Sequence, residues 1–70
     1  MKDIRENLRA VIKDKGYIQA VIANKAGMTP VKLSQIINKE RKLEANEMFA
    51  VCKAIEMTPM ELAEYKTKSC

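Results

Sequence analysis

An all-α fold, a bundle of about five short helices, is predicted for this chain by three observations. Apolar residues recur at intervals of three and four residues, the breaks between these runs carry glycine or a Thr-Pro pair, and the core must be aliphatic, because Tyr17, Phe49 and Tyr65 are the only aromatic residues among 70. No alternation of polar and apolar residues marks a strand, and no repeat or low-complexity segment interrupts the chain. Such a length allows one domain. Residues 1–65 form the expected folded unit, and 66–70 a fraying tail.

Each helix has a local reason. In the first, Ile4, Leu8, Val11 and Ile12 recur at helical intervals until Gly16 ends the run, and Asp3 and Glu6 have capping-box spacing. The second runs from about Ile18 to Lys25, with Ile22, Ala23 and Ala26 on one side. Gly27 then supplies the positive φ that a sharp exit demands, and Met28 can plug the corner. The third runs from about Pro30 to Lys39. Thr29 is its N-cap, and Pro30 fits the first helical position because its missing N–H would have no intrahelical partner there. A charged connector, Lys39 to Lys42, leads to a fourth helix beginning near Glu44, lined on one side by Met48, Val51, Cys52 and Ile55. Thr58-Pro59-Met60-Glu61 combines N-cap, helix-compatible proline and capping-box glutamate, announcing a fifth helix with Leu62 and Tyr65 directed inward.

The segment from Gln19 to Asn38, two short helical patterns parted by a glycine, reads as a helix-turn-helix. If Leu33, Ile36 and Ile37 are buried, a turn of about 100° per residue places Val31, Gln35 and Asn38 on the opposite side. Ser34 flanks them on one edge, and Lys32 and Lys39 on the other. Such a helix suits a DNA major groove. Gln35 can make a bidentate contact to adenine, Val31 can pack on a thymine methyl, and Ser34 can donate or accept at a neighbouring base. Phosphates would be held by Gln19 with the first amides of helix two, by Asn38, and by the cations Lys32, Lys39, Arg41 and Lys42. The bland alternatives are a solvated cationic face, an ordinary exposed glutamine and an ordinary glycine helix stop.

Charge supports a polyanionic partner. The formal net charge is +4, and it is unevenly placed. Lys25, Lys32, Lys39, Arg41 and Lys42 against Glu40 leave residues 25–42 at +4, whereas Glu44, Glu47, Glu56, Glu61 and Glu64 against Lys53 leave residues 43–64 at −4. The composition argues against catalysis, since there is no histidine, no glycine-rich phosphate loop and no cysteine pair spaced for metal. Neither cofactor, metal nor small-molecule ligand is expected. Cys52, mid-helix, and Cys70, the last residue, make no disulfide framework, which fits a reducing cytoplasm, and Cys52 reads as a small buried hydrophobe. The five methionines read as core filler. With neither a signal-peptide run nor an apolar stretch of membrane-span length, the chain is expected to be soluble and cytoplasmic.

Gln19, Ile22, Ala23, Ala26, Gly27, Met28, Leu33 and Ile36 together resemble the motif of the phage repressor and Cro superfamily of helix-turn-helix regulators, also called the xenobiotic-response-element family. Ala54-Ile55-Glu56-Met57-Thr58 and Leu62 are similar to that family's closing segment. The resemblance implies a five-helix bundle of the lambda-repressor-like type that binds a double-stranded operator as a homodimer in a bacterial or phage-infected cell. By position it implies that Pro30, Val31, Ser34 and Gln35 read bases, and that Gln19 and Asn38 contact phosphate.

The chain departs from that pattern in three ways. Ile12 and Ile37 stand where many members pair an arginine with a glutamate, an exchange that is often neutral or stabilising. Lys39 and Glu56 stand where glycine is usual, and Val21 where a polar residue is common. The function expected is sequence-specific DNA-binding regulation, by a small repressor that occludes a promoter. The alternatives are a protein-interaction module, adaptor- or antitoxin-like, using Val21, Pro30 and Val31, or the N-terminal module of a longer repressor. Phe49, Met57, Met60 and Tyr65 are the candidates for self-association.

Overall fold

The structure, a computed structural model, describes residues 3–66, in which five helices follow one another: α1 (Ile4–Asp14), α2 (Gln19–Lys25), α3 (Pro30–Ile37), α4 (Ala45–Ala54) and α5 (Pro59–Ala63). The expected fraying of the tail concerns mainly residues 67–70, which lie outside the described part. Boundaries differ from expectation by small, physical amounts. Ile18 is the N-cap of α2 and not part of it, and α3 stops at Ile37, two residues short of Lys39. Among the described residues no helix is long and apolar enough to cross a membrane.

Packing is organised by the predicted stripes. α1 lies against α3 and α5, α2 against α3 and α4, and α4 against α5. Leu8, Val11 and Ile12 of α1 meet Ile22 and Ala23 of α2, Leu33 and Ile37 of α3, Val51 and Cys52 of α4, Ile55 and Leu62 in one buried cluster. Ile12 and Ile37, the apolar pair at the usual ionic positions, are both inside it. Met28, Met48 and Met57 are half-buried against the cluster as filler, whereas Met60 is exposed and departs from that expectation. Tyr65 is half-buried and donates its hydroxyl to Asp14 Oδ2 at 2.8 Å. Cys52 is a buried free thiol whose pKa is raised by burial, which makes it a packing group.

The helix starts follow the sequence signals closely, with one correction. Thr29 Oγ1 accepts from the Lys32 amide at 3.1 Å, and Thr58 with Glu61 forms the reciprocal capping box. At α1, Asp3 caps the Arg5 amide at 2.9 Å and not the Glu6 amide, so the reciprocal capping box does not form, and the Glu6 carboxylate accepts from Lys39 Nζ at 2.7 Å. Glu47 reaches back to the Glu44 amide at the start of α4.

The helix ends share one device. After α1, α2, α3 and α4 the chain turns through a left-handed residue, at Gly16, Gly27, Lys39 and Glu56, with φ of 67°, 74°, 65° and 58°. In each, the amide of the following residue reaches back to the last turn: Tyr17 to Ile12 O, Met28 to Ala23 O, Glu40 to Gln35 O and Met57 to Cys52 O, at 2.8–3.0 Å. These are Schellman turns. Tyr17, Met28 and Met57, the residues that follow three of them, pack on the core and fix the direction of exit. Lys39 and Glu56 therefore adopt the same turn as glycine, against the steric preference of a side chain.

Asn7 was not foreseen. It is the only buried polar or charged residue among those described, and its Nδ2 donates to Leu62 O and Ala63 O at 3.0 Å each, closing the carbonyl end of α5. Asn7→Ala would strand those acceptors, and urea unfolding should show a loss of about 1–3 kcal/mol. Glu56→Gly should raise stability by about 1 kcal/mol in the same assay by relieving the left-handed strain. An unchanged or lowered stability would mean that the turn carries no such strain.

Candidate nucleic-acid interface

Burial of Leu33, Ile36 and Ile37 fixes the rotation of α3 and leaves a connected outer surface. Pro30 and Val31 stand at its N-terminal end, with Val31 67% exposed, a degree of exposure that rules out a core-packing role. Ser34 and Gln35 are half-buried one turn further along, and Asn38 is the exposed C-cap. Asn38 Nδ2 donates to Ser34 Oγ at 3.4 Å, and Arg41 Nη1 donates to Gln35 Oε1 at 3.5 Å. The expected reading residues and the expected phosphate contacts are thereby joined side chain to side chain.

The cations are placed unequally. Lys39, Arg41 and Lys42 are exposed in and just after the turn that ends α3. Lys39 is also ion-paired with Glu6 of α1, and this contact is the main cause of the lowered Glu6 pKa. Lys32 lies off the outer face. Its ammonium pairs with Glu47 of α4, so at this position the structure departs from the expected cationic border, because the first turn of α4 brings a carboxylate within reach of Lys32. That bond is also the largest cause of the lowered Glu47 pKa. Gln19 is half-buried as the first residue of α2, whose N-cap, Ile18, offers no side-chain acceptor.

Three contributors escaped the sequence reading. Arg5 Nη1 donates to the Arg41 carbonyl at 3.0 Å, tying α1 to the connector. Asp3 holds Arg5 in turn, with Oδ1 accepting from Nε at 3.0 Å, and this partner pulls the Asp3 carboxyl down to about 2. The Arg5 role has no local signature, since α1 and the connector meet only in three dimensions, whereas Asp3 and Arg5 are two residues apart. Ile18, 68% exposed, adds to Val21 and Val31 as an apolar group near the helix-turn-helix. Its position directly before Gln19 was a usable signal, because an N-cap cannot join the buried stripe.

Chemically the surface offers an apolar tip, a hydroxyl, a carboxamide and guanidinium and ammonium donors, the groups that contact base edges and phosphate oxygens. Among the described residues, no group of three or more His, Cys, Asp or Glu side chains could hold a metal ion. Residues 7–68 match the family of Cro/C1-type helix-turn-helix DNA-binding domains. The fold is similar to that of the DNA-binding domain of the phage P22 c2 repressor in solution (TM-score 0.83, 23% identity, 99% of this chain and 91% of that one). It is also similar to the clp gene regulator ClgR of C. glutamicum (TM-score 0.81, 20% identity, 86% and 78%). The P22 c2 repressor in complex with a synthetic operator matches over the full length of both chains (TM-score 0.75, 24% identity). At these identities the likenesses establish the fold. Comparison with curated protein sequences yields no match.

The ionic contacts around the connector set a pH dependence. The Asp3, Glu6 and Glu47 pKa values are each lowered from the ordinary carboxylate range in the folded chain, so the unfolded chain binds protons first as pH falls. Their stabilisation is complete above that range and is lost on acidification, for Asp3 between about 4 and 2. Urea midpoints should fall over this interval. Asp3→Asn, which keeps a cap but removes the charge, should flatten the dependence, and an identical pH profile for the two proteins would contradict this assignment.

Proposed function

This chain belongs to the Cro/C1-type helix-turn-helix DNA-binding family, and on that premise we propose that it is a transcriptional regulator which reads one operator sequence in duplex DNA with the outer face of α3. The observation that carries this reading is the outward row of exposed Pro30 and Val31 and half-buried Ser34 and Gln35 on a helix whose other side is locked in the core, with Asn38, Lys39, Arg41 and Lys42 at its end. Val31 meets a thymine methyl, Ser34 and Gln35 address neighbouring base edges, and the cations with Gln19 and Asn38 hold the flanking phosphates. Lys32 contributes little directly, because Glu47 neutralises it.

The regulator acts as a homodimer on a two-fold symmetric site, in the cytoplasm, and represses by covering a promoter. Phe49 of α4 and Met60 of α5, 58% and 67% exposed, are the apolar residues available for self-association. Met57 and Tyr65, expected to share that role, are instead half-buried against the core. A second reading, a protein-interaction module, is favoured by one observation, the exposure of Ile18, Val21 and Val31 around the same helices.

Salt separates the two. Affinity for duplex DNA should fall steeply and log-linearly with salt concentration, whereas an apolar protein interface should survive high salt. Lys42→Ala should weaken binding to every duplex alike and lower the salt slope by about one, while Gln35→Ala should lose discrimination at one base pair with the slope unchanged. Binding that resists salt, or equal effects from both variants, would contradict these roles.

A further inference from the structure

We propose that Arg41 both orients the Gln35 amide and adds its own donors beside it, so that the pair reads one base together and selects guanine. This rests on the DNA-reading function assigned above to α3, and it begins with where Arg41 is held. Asp3 accepts from the Arg5 amide and Nε at 2.9 and 3.0 Å, and Arg5 Nη1 in turn donates to the Arg41 carbonyl at 3.0 Å. The connector backbone is thereby tied to the start of α1. From that point the Arg41 guanidinium reaches Gln35, with Nη1 3.5 Å from Oε1.

The contact favours one orientation of the carboxamide. A guanidinium carries donors only, so it attracts the Gln35 oxygen and repels its NH2 group, which turns away. A bidentate contact to adenine needs both amide groups at the base edge, the oxygen accepting from N6 and the NH2 donating to N7. With the oxygen drawn toward Arg41, Gln35 presents a donor, and the remaining N–H groups of Arg41 stand beside it. Guanine offers two acceptors in the major groove, N7 and O6, and matches this paired donor set. The charge of Arg41 strengthens the match. Lysine could supply the charge but not the planar fork that holds the amide oxygen and a base edge together.

The test is selection of bound duplexes from a random pool by the full chain and its Gln35→Ala, Arg41→Lys and Arg41→Ala variants, followed by salt titrations on the selected duplex. The base pair that becomes indifferent in Gln35→Ala marks the position read by Gln35. There the unaltered chain should favour guanine over adenine by roughly tenfold. Arg41→Lys should abolish that preference or move it to adenine with the salt slope retained, and Arg41→Ala should do the same with a shallower slope. Adenine selected at that position by the unaltered chain, or a guanine preference that survives Arg41→Lys, would overturn the proposal. An unaltered chain that recovers no motif would overturn the DNA-reading function itself, and this inference with it.

Discussion

The burial of Leu33 and Ile36 at 0% exposure, with Ile37 beside them, is the constraint on which the rest of the molecule depends. Full burial of an aliphatic side chain of this size contributes about 1.5–3 kcal/mol, so three on one short helix outweigh any preference of its polar side for another orientation. Rotation of α3 about its axis would expose this stripe. The outer residues are consequently held outward by the core, and their own surface contacts need only refine where they point. Ala23, fully buried on α2 in the same cluster, lets α2 and α3 pack closely.

Against that rigid frame the connector after α3 is held by weaker and more local means. Lys39 adopts a left-handed φ of 65° without being glycine, and its ammonium bonds to Glu6, while Arg5 holds the Arg41 carbonyl. Glycine at position 39 would relieve strain but would lose the Glu6 contact. The side chain at this turn is part of the attachment of α1 to the connector, whereas for Glu56, also left-handed, no such contact is found among the described residues. The cationic end of the candidate surface is thus tied to the start of α1 by Asp3, Arg5 and Glu6.

Much of this was legible from local chemistry. Thr29-Pro30 and Thr58-Pro59-Met60-Glu61 marked their helices because caps act over three residues, and Gly16 and Gly27 marked ends because few other residues turn left-handed so readily. The stripe of α3 was legible because a period near 3.6 is itself a statement about one face. Periodicity identifies a face but not what approaches its edges. Lys32 has the place of a border cation and pairs with Glu47, Glu6 has the place of a capping residue and pairs with Lys39, and both partners are distant in sequence. Asn7 could have been suspected, since it sits three residues after Ile4 and four before Val11 on the apolar arc, where a polar group needs a specific partner. That the partner is the carbonyl end of α5 is information only the fold carries.

The outer face of α3 is the surface proposed to meet DNA. Amide chemical-shift mapping during titration with a selected duplex tests it residue by residue. The largest perturbations should fall on Val31, Ser34, Gln35, Asn38 and residues 39–42, with Gln19 also affected. A duplex that binds while the α3 amides remain unshifted would contradict it.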